Sequence, residues 1–436
     1  MPSAPASYHR QRPGSPPDPG LDRAESWDGP VGYARAVAAL YTRSFVSLLL
    51  AQAAFGYAFS TFFLLPKFIT TQLRAGPDEI GLVMAAFGAT SVFCIPLVGT
   101  LVDRLGRRRF MTAGALVMAA TALAFLRVTD VGPLLFTLRA LQGVAFSMTF
   151  IASATLASDL APPERLGQAL GVFGVSMLSM HAIAPAAAET LVAVAGWRAV
   201  FLVATVFALV CAAGTAFVSE PGPKLRDLDE VPSLLHVARR PRSVRIMVVT
   251  ALSGAAFGIM ITYSQPFALS LGRENVRGFF IAYAIAAASV RLGFGSVADR
   301  IGRDRVSAAS LVAYGFVVLS MAMLRPAWLE PVGACFGLAH GLFYPAFNAL
   351  ALDAAGPHER GKVMALFNGA FNAGNSAATL ALGFLAARAG YPAVFVVAAA
   401  GVFAGVALFA LSPEGRGWRH AAKRPASSVA PLPAPD

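Results

Sequence analysis

Apolar runs of about twenty residues, parted by short polar stretches, recur along almost the whole chain, and that is the length a helix needs to cross the hydrocarbon of a bilayer. Hydrocarbon offers the backbone no water, so each amide must find its partner inside its own segment, which a helix does and an open strand does not. None of the runs alternates polar and apolar residues as the strands of a membrane barrel would. The runs fall at 44–66, 79–102, 110–127, 132–158, 165–190, 197–219, 244–271, 276–298, 306–324, 330–353, 361–387 and 391–412, which predicts an all-α membrane protein of about twelve transmembrane helices. Composition agrees, since 56% hydrophobic and 13% charged residues leave too little polar surface for a soluble chain of 436 residues.

The polar stretches divide the chain. Residues 1–40 are rich in Pro, Gly, Ser and Asp, contain no apolar run, and read as a disordered tail. A first set of six spans occupies 41–219, a linker 220–243, a second set 244–414, and a second polar tail 415–436. Lys and Arg fall about three times as often on the side shared by the two tails, which places both termini in the cytoplasm. The net charge of +12 would suggest nucleic acid in a soluble protein; here the basic groups sit beside anionic headgroups, so the partner is the lipid bilayer. The three cysteines lie inside apolar runs without metal-ligand spacing and read as small hydrophobes, so no metal is expected.

The two sets of spans repeat each other. Gly99-Thr-Leu-Val-Asp103-Arg104-Leu-Gly106-Arg107 after the second span returns 196 positions later as Gly295-Ser-Val-Ala-Asp299-Arg300-Ile-Gly302-Arg303. Asp159 and Asp353 end the fourth and tenth spans, and Gly196-Trp-Arg-Ala-Val-Phe matches Gly390-Tyr-Pro-Ala-Val-Phe, each pair 194 apart. Six spans return the chain to its starting side, so the halves are parallel repeats about a pseudo-two-fold axis along the membrane normal. Physically, Gly99 suits a close approach of two helices. Asp103 can accept from the amides at a neighbouring helix N-terminus, and Arg104 and Arg107 supply fixed positive charge.

Carrying G-x-x-x-D-R-x-G-R twice at equivalent places, the chain resembles the major facilitator superfamily from about Arg43 to Pro413, and among its members the bacterial drug or sugar efflux permeases. The resemblance implies two six-helix bundles around a central cavity, rocking alternating access, a bacterial inner-membrane location and a monomer. It also implies gate roles for Gly99, Asp103, Arg104, Gly106 and Arg107 and their repeats Gly295, Asp299, Arg300, Gly302 and Arg303, with Arg107 pairing Asp159 and Arg303 pairing Asp353.

Ionisable and amide side chains inside spans are expensive, which makes them site candidates. Arg139 and Gln142 stand in Arg139-Ala-Leu-Gln142-Gly143, which resembles the superfamily's fourth-span motif of proton-coupled antiporters. His340, Tyr344 and Asn348 follow at steps of four and share one face of the tenth span. By the same resemblance that face lines the cavity opposite Arg139. Asn372 belongs to an asparagine series on the eleventh span, and Glu189, near the outer end of the fifth, is either a proton site or an interfacial cap. Alanines replace the glycine-rich element that drug exporters often carry around Pro185, which weakens the drug assignment. No phosphate-binding loop for ATP occurs, no nucleophile and base recur at catalytic spacing, and no cofactor is implied. The expectation is a secondary transporter, not an enzyme, moving a small organic solute outward in exchange for protons. Import of an organic anion and a non-transporting membrane sensor are the alternatives.

Overall fold

The computed structural model describes residues 40–162, 165–220, 234–294, 301–353, 355 and 359–412, with the backbone only at 96, 100, 103, 104, 166, 167, 178, 291–294, 360 and 361. The tails, most of the linker, and Gly295, Asp299 and Arg300 therefore lie outside the described residues. From Arg43 onward the described residues form one compact unit.

Nine helices are long and apolar enough to cross a membrane among the described residues. We number the spans α1 Arg43–Thr71, α2 Pro77–Leu105, α3 Arg107–Arg127, α4 Pro133–Leu160, α5 166–195, α6 197–217, α7 Pro241–Ser270, α8 Arg277–Phe294, α9 Arg303–Met323, α10 Leu329–Leu352, α11 360–389 and α12 391–411. Proline opens α2, α4 and α7, where its missing N–H would have been unpaired in any case. At the start of α2 the Gly76 N–H also donates to Glu79 Oε2 at 2.9 Å, closing the first turn.

The α5–α6 and α11–α12 pairs are each continuous apart from one residue, Gly196 at φ 76° and Gly390 at φ 78°. A straight helix of fifty residues would be about 75 Å long, far beyond a hydrocarbon layer of about 30 Å. Neighbours show that each pair instead doubles back. Going up α1, Gly56 meets Met180, Ser60 meets His181 and Lys67 meets Glu189, so α5 runs parallel to α1. Tyr57 stacks on Phe207, Phe62 on Phe201 and Phe68 against Trp197, so α6 runs antiparallel to it. In the second half, Gly254 lies against Phe371 and Tyr263 against Gly383, while Phe267 meets Tyr391 and Leu252 meets Gly405. Equivalent helices thus pack in equivalent ways. Each half is a six-helix bundle, and the linker carries a short helix, Leu234–Arg239, before α7 begins at Pro241.

A left-handed φ at the reversal is open to glycine at no steric cost. A Cβ on Gly196 would meet open space among the described residues, so Gly196→Ala is expected to cost only the backbone penalty of about 1–2 kcal/mol. A lower apparent melting temperature in detergent would report it, and an unchanged one would remove the argument.

The two bundles meet along two seams, α2 with α11 and α5 with α8. The face where the described chain enters α1 and leaves α12 is called the terminal face, and the opposite one the far face.

Candidate functional site

The seams are closed at the far face. Lys67 Nζ of α1 donates to Glu189 Oε1 of α5 at 2.6 Å, and both side chains are buried. The same Oε1 accepts the Val276 N–H at 2.9 Å, just ahead of α8, and Lys67 also reaches the Glu274 carbonyl at 3.1 Å. One ion pair of the first bundle thereby holds two backbone groups of the second. Gln265 Nε2 donates across the gap to the Phe63 carbonyl at 2.6 Å, and Tyr263 OH to the Pro77 carbonyl at 3.3 Å. Glu189 Oε2 is buried without a hydrogen-bond partner among the described residues. In this state Glu189 is the anionic half of a buried pair within the first bundle that reaches the second through the Val276 N–H and the Glu274 carbonyl.

Toward the terminal face the seam opens. A Cβ on Gly81 of α2 would stand 2.7 Å from the Thr379 carbonyl of α11, and one on Gly88 would collide with Ser376. Gly99 lies eighteen residues beyond Gly81, five full helical turns and therefore on the same face. No described atom lies within 4 Å of the place its Cβ would take, and the same holds for Gly369, two turns before Ser376 on α11. On α5, Gly171 lies five turns below Glu189 on one face and also meets open space. Among the described residues the close approach expected of Gly99 is thus not made, and the seam is wider there than at Gly81 and Gly88.

Between seal and opening lies a layer of rings. Phe63 of α1 and Phe257 of α7, equivalent positions 194 residues apart, meet edge to face at 6.5 Å across the bundles. His181 packs on Phe63 at 4.9 Å and His340 on Phe257 at 4.8 Å. His340 is only 2% exposed and shares a hydrogen bond of 3.1 Å with Tyr283 OH. It is embedded among rings, and the wall expected of His340, Tyr344 and Asn348 is continued by the half-buried Tyr344, whose OH donates to Asn368 Oδ1 at 2.7 Å. Asn348 is also half-buried. Asn372 donates back to the Asn368 carbonyl of its own helix at 3.0 Å. On the other bundle Arg139 is 3% exposed; it donates to Gln142 Oε1 at 2.7 Å, and its guanidinium lies 4.8 Å over the Phe87 ring.

At the terminal face Arg107 Nε lies 3.1 Å from Asp159 Oδ2, and Arg303 pairs with Asp353. Gly106 and Gly302 turn the chain between spans at φ 97° and 106°. Glu220, after α6, accepts the Arg107 N–H at 2.6 Å, a carboxylate at a helix N-terminus. Asp103 and Arg104 stand in the last turn of α2, described by backbone alone. Arg240 grips Glu359 at the start of α11 through two bonds of 2.7 Å, and that carboxylate holds its guanidinium above its ordinary pKa.

Lys67 was hidden in the sequence because a cation near a span's outer end reads as part of the loop charge. The repetition of Phe63 at Phe257 was the signal that could have found the ring layer. His181 carried no signal of its own.

The sequence profile of the Major Facilitator Superfamily matches residues 46–329 and 276–434. The chain belongs to the major facilitator superfamily. It is similar to the multidrug resistance protein MdtG of Proteus mirabilis, 28% identical over 333 residues, covering 73% of this chain and 82% of the relative. Among solved structures it is similar to a bacterial homologue of the human lysosomal transporter Spinster in an inward-facing and unoccupied conformation, at TM-score 0.72 and 13% identity, covering 86% of this chain and 97% of that one. The nucleoside transporter NupG follows at TM-score 0.69 and 15% identity, over 84% and 98%. This is therefore a multi-pass membrane transporter of the superfamily with efflux-type relatives, and not an enzyme.

Proposed function

We propose that the protein is a secondary active exporter of a small organic solute, working by rocking of its two bundles and exchanging the solute for protons across a bacterial inner membrane. The observation that carries this reading is the unequal seam, sealed by the pair of Lys67 and Glu189 at one face and open at Gly99 and Gly369 at the other. The excess of basic residues supports a cytoplasmic placement of the open face, and on that reading the state seen is one that loads from inside. Kinship with multidrug resistance proteins supports the outward direction. Rocking would close the gate residues around Gly99, Asp103, Arg107 and Asp159 and their repeats while opening the seal. Glu189 is the proton site: a proton on its carboxylate cancels the charge that holds Lys67 and weakens its grip on Val276.

Arg139 favours a second reading, uptake of an organic anion. Proteoliposomes with an imposed pH gradient separate the two. In the exporter, added solute dissipates the gradient in the exchange direction, and Glu189→Gln uncouples proton movement from solute flux. Solute flux that is blind to the gradient in both proteins would sink proton exchange.

A further inference from the structure

We infer that the cargo is an aromatic organic anion and that Arg139 is the group that recognises its charge; this rests on the transport reading above and names its substrate class. The first support is a charge inventory. Of the 23 Asp and Glu in the chain, all but Glu189 stand in tails, loops or the end turns of spans. Glu189 is spent on Lys67 and the Val276 N–H. Arg139 lies six residues inside α4, is buried, and has no carboxylate partner among the described residues. Among the described side chains, the interior of the spans therefore carries one positive charge without a carboxylate partner, that of Arg139. A cationic cargo would find no counter-charge there and would be repelled, whereas an anion supplies what the site lacks.

The second support is hydrogen bonding. Arg139 Nε and Gln142 Nε2 are both buried N–H donors without an acceptor among the described residues, and they sit on one turn of α4. Orphaned donors beside a buried cation form an incomplete anion site, since each unmet donor carries a desolvation cost that an incoming oxyanion would relieve.

The third support is position. Arg139 also touches Met84 Sδ at 3.7 Å, and Met84 lies between Gly81 and Gly88, on the α2 face turned to α11. The guanidinium thus sits at the inter-bundle seam, in the roof above the opening. The half-buried rings of Phe87 and Phe63 continue that roof toward the terminal face. A head group with oxyanion oxygens at Arg139 and an aromatic body on these rings matches both parts of the wall.

Three ring-matched probes test this by equilibrium binding to the full chain in zwitterionic nanodiscs, with empty nanodiscs subtracted: anilinonaphthalene sulfonate, neutral N-phenylnaphthylamine and a naphthyl trimethylammonium. The sulfonate is expected to bind at least tenfold tighter than the ammonium. Its advantage over the neutral probe should fall to about onefold in Arg139→Gln and recover in part in Arg139→Lys; being a ratio within one protein, it is insensitive to the fraction folded. Equal or tighter binding of the ammonium, no measurable binding of the sulfonate, or a ratio unchanged in Arg139→Gln would each overturn the inference. Flux of the same probes is measured separately: anion-selective binding without flux would refute the transport reading and leave the charge assignment standing.

Discussion

Replacing Glu189 with glutamine is expected to tip the protein toward a conformation open at its far face. The substitution leaves Lys67 buried without its counter-charge, and breaking one side of a buried pair costs about 3–5 kcal/mol. That cost falls only on the sealed state, because a parted seam returns Lys67 to water. Taking about 3 kcal/mol, the ratio of open to sealed protein rises roughly a hundredfold. Spin labels on Gln72 and Leu271, exposed positions of the two bundles near that face, should move from a short to a long distance. Removing both charges, as Lys67→Met with Glu189→Leu, should bring the short distance back, since a packed apolar pair tolerates burial. Identical distance distributions in all three proteins would show that the pair does not hold the seam.

Two glycines on one face of α2 are expected to give opposite traps. Gly88→Val puts a branched side chain where Ser376 already sits, so it opposes the state seen here and should hold the far face open. Gly99→Val fits without contact in this state and obstructs only the alternate one, in which the terminal ends of α2 and α11 approach. Overpacking of about 1–3 kcal/mol in one state slows the cycle by roughly five- to a hundredfold. Both variants should therefore lose flux, and the same pair of labels should read long in the first and short in the second. Valine at both positions with normal flux would mean that the bundles do not rock about this seam.

Much of the fold was legible because it is written in periodicity. Twelve apolar runs and the 194-residue echo of Gly196 in Gly390 place the spans, the halves and their symmetry without any contact being known. Those landmarks depend on chain-local chemistry: a span must be apolar, and a one-residue reversal suits glycine. The site was legible only as residue types. Arg139, Glu189 and His340 stood out by cost of burial, but what each does depends on its neighbours. Lys67 looked like loop charge until α1 and α5 were seen to run parallel, which brings it to Glu189. His340 was legible as one step of a helix face, but not that Phe257, Phe336 and Tyr283 would surround it. Gly99 looked like a contact because its spacing suits one. Which of two global states is occupied is a property of the whole seam, and no local pattern encodes it.

The one-residue reversals have a mechanical consequence. With only Gly196 between them, α5 and α6 cannot move far apart at the far face, so a helix in the seam drags along one that presents Leu202, Val206, Leu209 and Val210 on its exposed side. Acyl chains must therefore be pushed aside at each turnover, which makes the membrane a load on the machine: thicker or stiffer lipid should slow the cycle even though nothing in the seam has changed.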